Sequence, residues 1–413
     1  MSDAVTDGAG QIDRAETEPG HSEPTSDLDS PTGWLVAGAT FVATFTVFGV
    51  AYSFGSFFGP MADEFGSDRG ATAFFFALTT FLYFGLGVIS GRIADVKGPR
   101  PVLIFGAVCL VIGLLATSRV QSIWVGYLTY GLGVGLGVGC AYVPMVAAVG
   151  GWFERQRTTA LGVAVAGIGV GTLTVAPATE QLIEAYGWRQ TYVILAIGAT
   201  ILLSISAVGA RQPAISVAAG PGSPLRSILT SSRTFWVLYT SLLTMSIAIF
   251  VPFVFLPDYV ETKGISGSAG WLIGIIGIAS VIGRLGLGAL ASRFPALRLY
   301  QGSNLVLSLS FLLWIGAGSS YEMLLLFTAV LGVAYGGFIA LSPAVTAEQF
   351  GTGGLGAVLG ASYTAAGIGG LIGPPAIGRI IDASGYQSAL IVASVVSFLS
   401  FSVLFLIPNS TQE

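Results

Sequence analysis

The sequence predicts an all-α membrane protein, with twelve transmembrane helices set out as two six-helix pseudo-repeat halves. Three observations carry that prediction. Hydrophobic residues make up 53% of the 413 positions and charged ones 9%, with a mean hydropathy of +0.81, where a soluble chain carries about 25% charge. Apolar stretches of about 20 residues, the length that crosses a bilayer, recur along most of the chain. A polar break divides them six and six, and short motifs recur on its two sides about 200 residues apart.

Residues 1–31 stand apart. They are acidic (Asp3, Asp7, Asp13, Glu16, Glu18, Glu23, Asp27, Asp29 against Arg14) and rich in Ser, Thr, Gly and Pro. Such a composition cannot bury enough apolar surface to fold, so a disordered tail is expected. With no basic start and no apolar core, it is not a signal peptide. The acidic tail and the use of two lysines against fifteen arginines fit a salt-adapted prokaryotic source. Stability compared in low and molar salt tests that idea, and indifference to salt removes it.

The apolar stretches then run 34–58, 72–94, 101–118, 122–149, 158–181 and 190–209 in a first half over 32–209. A linker over 210–234 follows, marked by Gly220-Pro-Gly-Ser-Pro224 and by Arg211, Arg226 and Arg233. The second half, 235–407, holds 235–257, 268–291, 300–317, 321–347, 355–378 and 387–407, and 408–413 form a short tail. We number the stretches helix 1 to helix 12. In helix 4, Gly131, Gly135 and Gly139 fall on one face, which suits close helix packing. Cys109 and Cys140 lie within apolar stretches and indicate neither a disulfide framework nor a metal site.

Lys and Arg set the expected orientation. With the N-terminus cytoplasmic, eleven cations lie on the inner side and five (Arg69, Arg119, Arg189, Lys263, Arg379) on the outer. Both termini are therefore expected inside the cell membrane.

The halves repeat weakly. Gly167-Ile-Gly169, Pro177 and Gly187-Trp188 parallel Gly367-Ile-Gly369, Pro375 and Gly385-Tyr386. Repeated halves point to an alternating-access transporter with its site between them.

One charge lies well inside an apolar stretch: Arg284 in helix 8, in Gly283-Arg284-Leu-Gly-Leu-Gly288. Ser292, near the inner end of the helix, is about 12 Å further on. A buried arginine is costly and normally faces a bundle interior or wet cavity. Tyr130, Tyr142, Tyr335 and Tyr363 lie in helices 4, 10 and 11; each is a candidate hydroxyl donor to a bound anion, or a packing residue. Asp258 and Glu261, at the outer end of helix 7, are candidates for taking up a proton; otherwise they are solvated loop carboxylates. The one histidine, His21, lies in the tail. Gly351-Thr-Gly353-Gly-Leu-Gly356 has the letters of a dinucleotide fingerprint without the preceding strand. No cofactor is expected, no nucleic-acid partner and no enzyme activity, because no titratable pair sits within the bundle. A monomer in the lipid bilayer is expected.

Between helices 2 and 3 stands Gly91-Arg92-Ile-Ala-Asp95-Val-Lys97-Gly98-Pro-Arg100. This resembles the signature loop of the major facilitator superfamily (Gly, three residues, Asp, two residues, Gly, one residue, then Arg or Lys). Gly151-Trp-Phe-Glu154-Arg155 resembles that superfamily's loop between helices 4 and 5, and Gly187-Trp188-Arg189 its outer turn before helix 6. The resemblance spans about 34–407 and implies the major facilitator fold. It also implies gating or conformational roles for Gly91, Asp95, Gly98 and Arg100. In the second half, Ser292 stands where Asp95 stands in the first.

Within the superfamily, Gly283-Arg284 with Gly288 is similar to helix 8 of monocarboxylate transporters and of oxalate/formate antiporters. There the helix-8 arginine pairs with the substrate carboxylate, a task a planar guanidinium suits. This chain lacks the helix-1 lysine of the animal transporters and a second cation in helix 11. One buried cation suits a monoanion, since a second carboxylate would be buried unpaired. The expected function is secondary transport of acetate-, lactate- or pyruvate-like monocarboxylates, with proton symport as one mode. The alternatives are an oxalate/formate-type exchanger, an exporter of hydrophobic compounds and a non-transporting membrane sensor. A structural role for Arg284, bonded to backbone carbonyls, stands beside the binding role.

Overall fold

A computed structural model of the chain describes residues 28–212, 225–351 and 355–407. Most of the acidic tail, the middle of the linker and the last six residues lie outside them, so the expectations for those segments are not addressed. The described residues are helical nearly throughout. Ten helices are long and apolar enough to cross a membrane. Two of these, Arg157–Gly209 and the one ending at Val403, each hold two crossings joined at a single glycine. The twelve crossings expected are thus present.

Side-chain caps start many of them. Ser30 accepts a hydrogen bond from the Gly33 amide at the start of helix 1 (Pro31–Phe65). Asp68 caps helix 2 (Arg69–Lys97) through the Ala71 amide at 2.6 Å. Ser232, Ser268 and Ser320 do the same for helix 7 (Arg233–Thr262), helix 8 (Ala269–Leu290) and helix 10 (Tyr321–Phe350). Each supplies an acceptor to an amide that has no partner within its helix. Helix 3 is Pro99–Thr117, helix 4 Ile123–Trp152 and helix 9 Ala296–Ala317. A short helix, Leu225–Ser231, precedes helix 7 within the linker.

The repeat is visible in the backbone. Helices 5 and 6 meet at Gly187 (φ 77, ψ 160), and helices 11 and 12 at Gly385 (φ 78, ψ 170), an offset of 198 residues. Both conformations lie where only glycine sits without strain. Helix 1 is interrupted at Ser53 and helix 7 at Phe250, an offset of 197.

An even number of crossings puts the two ends of the chain at one end of the bundle, the tail side; the other is the far end. Helices 1–6 form one half and 7–12 the other. The halves meet where helix 2 packs on helix 11, helix 5 on helix 8, and the far-end parts of helices 1 and 7 on each other. At the helix 5–helix 8 crossing, a Cβ on Gly169 would lie 2.5 Å from the Gly277 carbonyl oxygen, and one on Gly277 2.6 Å from that of Gly169. The backbones touch because neither residue has a side chain. In helix 4, Gly131, Gly135 and Gly139 pack on helix 2 through Leu78, Leu82 and Leu86, while Gly133 and Gly137 pack on helix 3.

Candidate functional site

Arg284 lies at the seam between the halves, 7% exposed. Helix 8 carries it, and helix 10 fixes its backbone: a Cβ on Gly336 would meet the Ser280 oxygen at 2.0 Å and the Arg284 amide at 2.8 Å. The guanidinium reaches into the other half, where Nη1 donates to the Val165 carbonyl of helix 5 at 3.0 Å. Its Nε and Nη2 atoms are buried and have no hydrogen-bond partner. Among the described residues Arg284 has no carboxylate within ion-pair distance, since the three ion pairs there lie elsewhere. A permanently charged, buried group with unused N–H donors favours any anion that reaches it.

Tyrosines surround this group. The hydroxyls of Tyr52, Tyr142 and Tyr335 feel the Arg284 charge. Tyr52 on helix 1 and Tyr335 on helix 10 share a hydrogen bond of 2.9 Å between the halves. Phe48 sits edge-on to Tyr142, ring centroids 5.1 Å apart, and 5.9 Å from Tyr83, whose buried hydroxyl has no partner. Phe253 stacks on Tyr52 at 4.4 Å. The wall is aromatic with hydroxyls set into it, a surface that takes both the apolar and the oxygen-bearing part of a small organic acid.

Of the four tyrosines expected from the sequence, Tyr142 and Tyr335 come together at Arg284. Tyr363 stands further round the wall, its ring 5.9 Å from Phe84, which in turn contacts Tyr83. Tyr130 packs nearer the far end, with Phe54 at 5.3 Å and Tyr192 at 5.8 Å, and its hydroxyl is buried without a partner. Sequence reading missed Phe48, Tyr52 and Tyr83. The available signal was the one that picked out the others, an aromatic or hydroxyl-bearing residue inside an apolar stretch.

The far end is shut by polar contacts between the halves. Arg69, at the start of helix 2, donates from Nε to Asp258 of helix 7 at 2.7 Å and from Nη1 to Asp382 of helix 11 at 3.0 Å. Tyr386 donates its hydroxyl to the same Asp258. Asp258 is thus engaged as a bridge between the halves, and Glu261 is exposed beside Gly59. Glu180 of helix 5 accepts from Ser268 Oγ and from the Ala269 and Gly270 amides, the latter two at 3.0 Å, at the first turn of helix 8.

The tail side differs. Gly98 (φ 82) turns helix 2 into helix 3 and its amide donates to Ala94 at 2.8 Å. A Cβ on Gly91 would lie an ordinary 3.6 Å from Val143 Cγ1. Asp95 and Arg100 are exposed and form none of the ion pairs found among the described residues. Asp29 accepts from the Arg155 and Gln156 amides, both at 3.1 Å, which fastens the start of helix 1 to the loop between helices 4 and 5.

A sequence profile described as Major Facilitator Superfamily matches residues 40–303 and 268–413. Monocarboxylate transporter 3 of Rattus norvegicus is 30% identical over 372 residues, 86% of this chain and 75% of that protein. Monocarboxylate transporter 13 of Rattus norvegicus is 28% identical, over 93% of this chain and 91% of its own length. Monocarboxylate transporter 12 of Homo sapiens is 28% identical, over 92% and 81%.

Proposed function

The chain belongs to the major facilitator superfamily, and from that premise we propose that it is a secondary transporter carrying small organic monocarboxylates by alternating access. That it is a multi-pass membrane transporter follows from the family and from its apolar helices. The substrate class is our reading. The observation that carries it is the buried Arg284 guanidinium with Nε and Nη2 unpaired beside the Tyr52, Tyr142 and Tyr335 hydroxyls. A carboxylate set against Nε and Nη2 would complete a two-bond fork. One cation balances one carboxylate, which favours acetate-, lactate- or pyruvate-like acids over oxalate.

Transport then proceeds as follows. The excess of cations on the tail side supports a cytoplasmic tail side and an outward-facing far end. Opening the far end requires Arg69 and Glu180 to release their partners in the other half. Substrate reaches Arg284 and neutralises it, which lowers the cost of closing apolar surface around the charge. The halves then rock and the acid leaves toward the cytoplasm, where Asp95 and Arg100 act on closure of that side. Asp258 can exchange a proton with the outside once Arg69 has let go, which is the role left open for it in proton symport.

Uptake of a panel of labelled carboxylates into proteoliposomes, with and without an imposed pH gradient, tests this. Saturable uptake of monocarboxylates that excludes oxalate is expected. Equal uptake by an Arg284→Ala protein that still inserts and purifies as a folded species would defeat the site.

A further inference from the structure

The two catches at the far end differ in chemistry. Asp258 and Asp382 share Arg69, whose guanidinium keeps its charge at any accessible pH. Glu180 has no cation: among the described residues none lies within ion-pair distance of it. Its charge is met only by neutral donors, the Ser268 hydroxyl and the Ala269 and Gly270 amides. The two amides belong to the first turn of helix 8, where they have no partner within the helix and favour an anion.

The neighbours of Glu180 add no counter-charge. On helix 5, Glu184 stands one turn on and is exposed. From helix 10, Tyr321 donates its hydroxyl to the Ser268 carbonyl at 2.8 Å, and Glu322 is engaged with Ser320. In the far-end part of helix 1, Glu64 is held by Trp188 and Arg189. Helix 8 has no acidic or basic residue in its first turn. Helix 8 is also pressed hard against helix 5 here, since a Cβ on Gly270 would lie 2.6 Å from Pro177 Cα and 2.8 Å from Glu180 Oε2.

We propose that Glu180 is an acid-released catch: its carboxylate holds helix 8 and so keeps the far end shut, and a proton taken up from that side frees it. A protonated carboxyl loses the charge-assisted strength of the three bonds. It also places a new donor against the Ala269 and Gly270 amides, which can only donate. Helix 8 carries Arg284, so release at Glu180 acts on the same element that holds the anion site. The inference rests on the alternating-access reading and not on the identity of the substrate.

The test reads accessibility, with no substrate present. In a background with Cys109 and Cys140 replaced by Ser, Thr172→Cys puts a thiol on helix 5 two turns below Glu180, where Thr172 is buried against Gly277. A membrane-impermeant maleimide is added to proteoliposomes with the far end outward. Labelling, scaled to that of a permanently exposed cysteine at each pH because the thiolate fraction falls with pH, should rise several-fold as external pH falls from about 6 to about 4, the range in which a glutamate carboxyl ordinarily takes up its proton. Glu180→Gln should label fast at both pH values. If the Gln protein retains the pH dependence, or the parent shows none, the catch is wrong. Where Glu180→Gln does not insert, Ser268→Ala keeps the carboxylate and removes one donor. It should label faster than the parent at neutral pH, and labelling equal to the parent would overturn the proposal. Carboxylate uptake plays no part in this readout, so a wrong substrate leaves it standing, and loss of the catch leaves the Arg284 assignment untouched.

Discussion

Tyr52 of helix 1 and Tyr335 of helix 10 bridge the two halves through a hydrogen bond of 2.9 Å beside Arg284. The bond crosses the interface along which the halves slide in the proposed transport cycle. It is made when the far end is shut, and one partner comes from each half.

Removing either hydroxyl should therefore have the same consequence. Tyr52→Phe and Tyr335→Phe should each shift the balance of states by about 0.5–1.5 kcal/mol, the net worth of one hydrogen bond. The double variant should be no worse than either single one, because the pair shares one interaction. Apparent substrate affinity in proteoliposomes measures it, and additive losses would show that the hydroxyls act separately.

Arg284 predicts a steeper effect. Arg284→Ala removes the only buried cation among the described residues and should abolish uptake. Arg284→Lys keeps the charge and loses the planar fork, a loss of about 1.5–3 kcal/mol for bonds to a charged group. That corresponds to roughly ten- to a hundredfold weaker binding. Uptake kinetics for both proteins, alongside size-exclusion profiles, check the prediction.

The glycine crossing gives a variant that spares the site. Gly277→Ala would put a Cβ 2.6 Å from the Gly169 oxygen. Forcing that contact costs about 1–3 kcal/mol, and the cost falls only on the state in which helices 5 and 8 touch. The protein should insert normally, with its far end biased open. Faster maleimide labelling of Thr172→Cys in the Gly277→Ala background at neutral pH is the expected result.

Arg69 is 30% exposed in its side chain, so its ion pairs are partly screened and worth about 1 kcal/mol or less each. Arg69→Gln should leave thermal stability nearly unchanged and still raise far-end opening a few-fold, because it releases helix 7 and helix 11 at once. Thermal unfolding followed in detergent, together with the same labelling assay, separates the two effects.

Much of the fold was legible before any coordinates. The stretch 122–149 reappears as Ile123–Trp152, and Gly187-Trp188 marks the turn into helix 6. The ends were drawn too short where charged residues continue a helix. Helix 1 runs on to Phe65 through Asp63 and Glu64, and helix 7 to Thr262 through Asp258 and Glu261. Hydropathy reports the oily slab, and these turns project beyond it. Arg284 was visible because an isolated charge in an apolar run has few explanations. Glu180 was not, since a carboxylate at the edge of such a run looks like an ordinary boundary residue. Only the arrival of helix 8, 88 positions away at Ser268, gives it a task. Tyr52 and Tyr83 were hidden for the same reason, among other aromatics that merely pack.

The single-residue turn at Gly187 leaves no slack between helices 5 and 6. Helix 5 carries Val165, Gly169 and Glu180, all engaged with the other half, and helix 6 carries an exposed stripe of Ile197, Ile201, Ile205 and Val208. With so short a turn, the two helices tilt as one stiff arm, with one side in the machinery and the other in the lipid. In the proposed cycle, bilayer thickness and lateral pressure thus act on the same lever as the gate, and the lipid in which the protein sits becomes a determinant of how fast it turns over.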